Sequence, residues 1–437
     1  MYPIERVLQE LHDVKLYRLF GRVVKVVGLT IESIGPHANI GDICVIDSRT
    51  AEPCLAEVVG FRDERLILMP LGEVSSIAPG ADVLALQKRL TVPCGMELLS
   101  RVLDGLGKPI DGKGPILNAT ERPVDAPPPD PLTRAPIKKQ IQTGVRVIDG
   151  LLSVGLGQRV GIFAGSGVGK STLLSMIARK TSADINVIAL IGERGREVRE
   201  FIERDLEDEG LENSVVIVAT SDQPPLIRLK AALVATTVAE HFRDMGYHVN
   251  FMMDSVTRMA MAAREIGLAI GEPPTSRGYT PSVFSLLPKV LERTGAGIDG
   301  TITAFYTVLV DGDDMNDPIA DAVRGILDGH IILSRELANA GHFPAIDVLS
   351  SLSRLFPTLA SKEHYHAALQ VRHFVQKYRE VEDLIRIGAY QMGSDSEADL
   401  AISQMPRVRE FLVQRMSDES DIQSTMRHLL ELAGVSS

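Results

Sequence analysis

At 437 residues, 45% hydrophobic and 24% charged, the chain has the composition of a globular protein large enough for more than one domain. Its 46 basic and 57 acidic residues give a formal charge of −11, which argues against a dedicated nucleic-acid binder. Cys44, Cys54 and Cys94, without CxxC spacing, argue against a disulfide framework or a zinc site and read as free core thiols.

The first segment, residues 1–19, lacks the apolar core of a signal peptide. It reads as a short amphipathic helix, with Val7, Leu8, Leu11 and Val14 near helical spacing. Nowhere does the chain reach the roughly 18–20 apolar residues of a spanning helix. It is therefore expected in the cytosol, at a membrane only peripherally through partners. Residues 20–87 hold short β-like runs, Arg22–Val27, Ile43–Asp47, Leu55–Phe61 and Arg65–Met69, punctuated by Gly28, Gly35-Pro36, Gly41, Pro70 and Gly80. Short strands between turn signals predict a small antiparallel barrel. Residues 88–142 read as a connector whose Pro-rich part, Asp125–Pro136, is expected to be extended and exposed.

Residues 143–357 alternate strands with helices. The strand candidates are Val160–Ala164, Asn186–Ile191, Val215–Ala219, Val249–Met253 and Thr301–Val310. They are continuous apolar runs, as in a parallel sheet covered on both faces. Helical patterns lie between them, at Ser171–Arg179 and Leu226–Met245. This predicts an α/β domain. Residues 358–437 lack convincing strands and predict a helical C-terminal domain.

Within the α/β region, the run Ala164-Gly165-Ser166-Gly167-Val168-Gly169-Lys170-Ser171 follows an apolar strand and opens a helix with Thr172. That is the context of a P-loop. Glycines let successive N–H groups curl around phosphate oxygens, and the helix N-terminus adds partial positive charge. Lys170 is expected on the β- and γ-phosphates of ATP, and the Ser171 hydroxyl on Mg²⁺. Lys-Ser after the last glycine argues against a dinucleotide site. Asp254 ends the run Val249–Met253, at the crevice edge of a parallel sheet, and is a second candidate for holding Mg²⁺. Past Ile191 comes Gly192-Glu193-Arg194-Gly195-Arg196-Glu197. A carboxylate there could orient the attacking water, and an arginine could counter charge on the γ-phosphate. The residues alone leave Glu193 and Glu197 both open for the first role.

Five segments carry a resemblance: Ala164–Ser171, Gly192–Val198, Val249–Asp254, Gly271–Ser285 and Pro344–Ser353. With them the chain resembles the hexameric ATPases that include rotary ATP synthase subunits, flagellar and type III protein-export ATPases and the terminator Rho. The resemblance implies a barrel, a RecA-like P-loop NTPase core and a helical C-terminal domain. Gly28–Pro36, Thr301–Asp314 and Asp383–Asp395 are most similar to the flagellar export branch, with injectisome ATPases and catalytic subunits of rotary synthases as alternatives. It implies that Glu193 activates water, that Arg194 contacts the γ-phosphate and that Asp254 is the strand-end aspartate. Arg354 is implied to be an arginine finger reaching a neighbouring subunit's site, and Phe343 to stack on adenine. It further implies a homohexamer working with export-gate and stalk proteins, a negative regulator, export chaperones and cargo. A non-catalytic ring subunit would lack the glutamate at 193. A Rho-like translocase would need a basic, aromatic-bearing barrel, whereas this one has few aromatics and many acids.

Overall fold

A computed structural model describes residues 19–47, 52–72, 77–310, 312 and 314–434. The amphipathic helix expected in residues 1–19 lies almost wholly outside the described residues. The chain divides into two compact units, one built on the N-terminal region and one holding most of the rest.

The N-terminal unit contains a closed barrel of six strands: β1 (Phe20–Val27), β2 (Thr30–Ile34), β3 (Ile43–Ile46), β4 (Cys54–Arg62), β5 (Arg65–Pro70) and β6 (Asp82–Ala85). Neighbours pair antiparallel around the ring in the order β1-β2-β5-β4-β3-β6, and β6 closes on β1. Alternate residues point inward. Val23, Ile31, Cys44, Ile46, Ala56, Val58, Leu66, Leu68 and Val83 fill the interior. The two-residue turn between β1 and β2 starts at Gly28, whose φ of +56° suits glycine and lets the strands continue their right-handed twist. Register shifts at Val23/Lys25 and Val58/Gly60 bend the longer strands around the closure. Cys44, Cys54 and Cys94 are buried and free.

The second unit is organised on a nine-stranded sheet. Its strands are β8 (Arg101–Asp104), β10 (Arg159–Ala164), β11 (Ile185–Ile191), β12 (Ser214–Ala219), β13 (His248–Asp254), β14 (Gly295–Ala296), β15 (Thr301–Leu309), β16 (Gly329–Ile332) and β17 (Leu352–Ser353). They lie in the order β17-β16-β10-β15-β13-β11-β12-β8, with β14 paired to β15 alone. From β16 to β8 every pairing is parallel, and β17 joins antiparallel at the edge. The central strands are buried along their length, β11 and β12 at every residue, because helices cover both faces.

Strand β8 comes from residues 88–142, the stretch read from sequence as a connector. That stretch also forms a small ribbon of β7 (Thr91–Cys94) with β9 (Thr120–Pro123). The four residues Arg-Val-Leu-Asp carry little strand signal alone. Their pairing with Val215–Val218 and the Arg101–Asp111 ion pair at 2.6 Å hold them in the sheet. The Pro-rich stretch is largely irregular, with one short 3₁₀ turn at Pro131–Thr133.

Three helices, Lys362–Arg386, Ser396–Leu412 and Ile422–Leu432, form the C-terminal region. Each starts at a side-chain cap, Ser361, Asp395 and Asp421, accepting from helix N–H groups. Their apolar faces (Val371, Phe374, Val408, Phe411 and Leu429) share one core with Ile148, Leu151 and Val160. The helical region and the α/β layer are therefore packed as one compact unit.

Candidate active site

The strand order determines which chain segments meet. β10, β15, β13 and β11 are consecutive neighbours, all parallel, so their C-terminal ends form one edge. At that edge β10 runs into Gly165–Gly169, and the helix Lys170–Lys180 follows. Gly167 and Gly169 have φ of +78° and +93°, a region closed to most side chains. The backbone can therefore curl there into the turn that a P-loop needs. Ala164 and Val168 bury their side chains in the core, so they can offer the cleft only main chain.

Neighbouring strands are about 4.8 Å apart, so the end of β13 lies roughly 10 Å across the sheet from β10. Lys170 has the reach for this. Its Nζ contacts Asp254 Oδ1 and lies 3.5 Å from Glu193 Oε1. Thr307, on the intervening β15, donates to Asp254 Oδ1 at 2.8 Å. Asp254 is almost wholly buried. Burial disfavours the Lys170 charge, but Asp254 and Glu193 outweigh it and hold the ammonium protonated above the ordinary lysine range. Glu193 is pushed up to about 6, first by burial and against the pull of Lys170, with Asp254 adding repulsion. Two carboxylates thus share one ammonium.

An open cleft of about 400 Å³ adjoins this cluster. It is lined by the loop Gly165–Gly167 and Gly169–Thr172, by Glu193, Arg194, Glu197, Arg204 and Asp205, and by Arg258. The two glutamates left open by sequence are in side-chain contact here, but their cationic partners differ. Glu193 faces Lys170, whereas Glu197 pairs with Arg194 at 3.2 Å. Arg194 itself is highly exposed on the cleft wall rather than in the cluster.

Phe343 sits beside the loop. A Cβ placed on Gly169 would lie 3.5 Å from its Cδ1. Its carbonyl accepts from Gln414 N–H at 2.9 Å, and Gln414 Nε2 donates to Gly144 O, which ties this corner to the C-terminal helices. Phe343 is 42% exposed, so part of the residue is accessible to a partner.

Arg354 is not at this cleft. Its N–H donates to Asp328 O, and Asp328 N–H donates to Arg159 O. The residue is therefore level with the first residue of β10, while the loop begins after the last. Five residues of strand, about 16 Å, separate them. Arg354 is exposed at that far end, its Nη2 on Arg324 O at 3.3 Å.

Two residues escaped the sequence reading. Thr307 was hidden as one hydroxyl in an apolar strand. Arg258 lies one helical turn after Asp254, packs under Gly192 and has a buried Nε without a partner. Its position four residues past a strand-end aspartate was the only local sign.

This geometry has known counterparts. Family models match the ATP synthase alpha/beta family beta-barrel domain at 23–87 and its nucleotide-binding domain at 144–353, and the T3SS EscN ATPase C-terminal domain at 360–431. The chain is 57% identical over 422 residues to the flagellum-specific ATP synthase of Bacillus subtilis, covering 96% of each protein. It belongs to the ATP synthase alpha/beta family. Among solved structures, the assembled ATPase EscN of the enteropathogenic E. coli type III secretion system aligns at a TM-score of 0.90 and 47% identity. That match covers 94% of this chain and 100% of the other. EscN in complex with its central stalk EscO aligns at 0.88 and 46%, with the same coverage. As a member of this family the chain is an ATP hydrolase. Its three-part layout of barrel, nucleotide-binding α/β core and helical C-terminal region is the family's.

Proposed function

We propose that this chain energises protein export through a flagellar type III apparatus, hydrolysing ATP at the subunit interfaces of a homohexameric ring. The observation that carries the site assignment is the convergence of Lys170, Glu193 and Asp254 beside the open loop at four adjacent strand ends. In the cluster Lys170 is held by two carboxylates. An arriving triphosphate offers it stronger anionic partners at the β- and γ-positions and frees Glu193. Glu193 then holds and polarises water in line with the γ-phosphate and takes its proton. Arg194 and Arg258 line the same cleft and counter the charge that develops there. Phe343 offers a π-face for adenine.

Ser171 and Asp254 provide hard oxygen donors, one hydroxyl and one carboxylate. Among the described residues no three His, Cys, Asp or Glu side chains form a protein cage for a metal. That donor set suits Mg²⁺, which is held by one or two protein groups together with water and phosphate. When bound, the ion neutralises phosphate charge.

Arg354 acts in the site of the next subunit. Its distance from its own cradle supports this, since about 16 Å of strand lies between them. A ring is then needed for full turnover. EscN's capture with a central stalk supports a stalk partner here also. Export-gate proteins, a negative regulator, chaperones and cargo complete the proposed set, with the enzyme peripheral at the cytoplasmic face of the membrane. No helix among the described residues is long and apolar enough to cross a membrane.

The injectisome reading is favoured by the full-length match to EscN, the flagellar one by the higher identity to the flagellar relative. Complementation separates them. The chain is expressed in a bacterium lacking its flagellar ATPase and in one lacking its injectisome ATPase. Restored motility in the first supports the proposal. Restored secretion in the second alone overturns the flagellar assignment.

A further inference from the structure

The arginine proposed for the neighbouring site stands on a very short element. β17 is two residues long and pairs with β16 only at Gly329↔Ser353 and His330↔Leu352. Leu352 is half-exposed, so apolar burial does little to hold this arm. A buried polar lattice does hold it.

Its centre is Gln158, fully buried just before β10. Gln158 Nε2 donates to Asp328 O at 3.1 Å and to Ser353 Oγ at 3.1 Å, while Oε1 accepts from Gly155 N–H at 2.8 Å. The Ser353 hydroxyl in turn donates to Ser153 O at 2.9 Å. Asp328 O is also the acceptor for Arg354 N–H at 3.0 Å, so the carboxamide and the arginine backbone share one carbonyl. The Asp328 carboxylate is gripped by Arg159, with Nε 3.1 Å from Oδ2 and Nη2 3.3 Å from Oδ1. Close approach of the arm requires a glycine opposite. A Cβ on Gly329 would meet Leu352 O at 2.8 Å and Gln158 Nε2 at 3.4 Å.

We infer that Gln158 is a positioning residue for Arg354 and so sets the geometry of catalysis in the neighbouring subunit rather than in its own. The inference rests on the reading that Arg354 acts in trans. It adds a physical route between two sites. One strand, β10, carries this subunit's phosphate loop at its C-terminal end and the anchor of the donated arginine at its N-terminal end. Every amide and hydroxyl hydrogen of the lattice is engaged, so the arm has one position rather than several.

The test uses Gln158→Met, which keeps length and bulk and removes both donors. Tm and circular dichroism establish that the chain folds, and Ser353→Ala is the second variant if it does not. The expected result is a kcat lower by roughly tenfold to a hundredfold, the cost of a displaced catalytic group. The Kd for a fluorescent ATP analogue stays within about twofold, because the variant's own cradle is intact. Mixed rings then assign direction. Lys170→Ala subunits have a dead cradle but an intact arginine arm. Mixing them with Gln158→Met subunits should restore turnover, whereas mixing Arg354→Ala subunits with Gln158→Met should not. The control is Arg354→Ala mixed with Lys170→Ala. If that control recovers and Gln158→Met with Lys170→Ala does not, positioning by Gln158 is overturned. If the control itself fails to recover, the trans reading of Arg354 fails and the inference falls with it.

Discussion

Replacing Glu193 by glutamine isolates water activation from nucleotide binding. The two side chains have the same shape, so the contact with Lys170 remains as a hydrogen bond while the base is lost. A positioned general base contributes about 10²–10⁴ in rate, or about 3–5 kcal/mol of barrier. Turnover should fall by that factor while ATP still binds, since Lys170, Asp254 and the loop are unchanged. The wild-type enzyme supplies a second readout. Glu193 is raised to about 6 by burial, against Lys170, and must be ionised to act. About half the sites are then competent at pH 6 and roughly a tenth at pH 5. The kcat/KM, measured by phosphate release between pH 5 and 8, should rise about tenfold per unit below 6 and level off above it. A flat profile from pH 5 to 7, or a Glu193→Gln enzyme within tenfold of wild type, refutes the assignment.

Lys170→Ala should abolish both binding and hydrolysis, unlike Glu193→Gln, and a fluorescent ATP analogue distinguishes the two variants directly. Arg293 is fully buried and bidentate to Glu240, with Nε–Oε1 2.9 Å and Nη2–Oε2 2.6 Å, and it also donates to Val124 O. Glu240→Gln leaves that guanidinium without its counter-charge and should cost about 3–5 kcal/mol, read from urea unfolding. His248 is depressed to about 4, chiefly by burial and despite Asp184, so the unfolded chain binds its proton more readily. The stability it supports is complete above about pH 6.5 and is lost as pH falls toward 4, up to about 3 kcal/mol. A His248→Gln chain should show a shallower loss across that window. Gly329→Ala should push β17 off β16 through the 2.8 Å contact with Leu352 O. Ring-dependent turnover should then fall while ATP affinity holds.

Much of this protein was legible in one dimension. The central strands are continuous apolar runs because helices cover both faces, so β10, β11, β12, β13 and β15 could be placed within a residue or two. The P-loop was legible because its chemistry is local: glycines, Lys170 and Ser171 within eight residues at a strand-to-helix turn. The barrel strands carried their own turn signals. β8 was not legible, since four residues with charged ends become a strand only through pairing with β12.

What the sequence alone determined is therefore the set of reactive groups and the elements that carry them. What only the tertiary structure decided is their company. Strand order is a long-range property, set by which apolar faces and backbone edges satisfy one another. By setting β15, β13 and β11 successively beside β10, it brings Asp254 and Glu193 to Lys170, and Thr307 to Asp254, from distant parts of the chain. The same order puts Arg354 at the opposite end of β10, outside its own site. Glu193 and Glu197, four residues apart, differ because one reaches the lysine and the other pairs with Arg194. Local patterns encode the parts, and burial of the sheet decides which of them share a low-dielectric cleft.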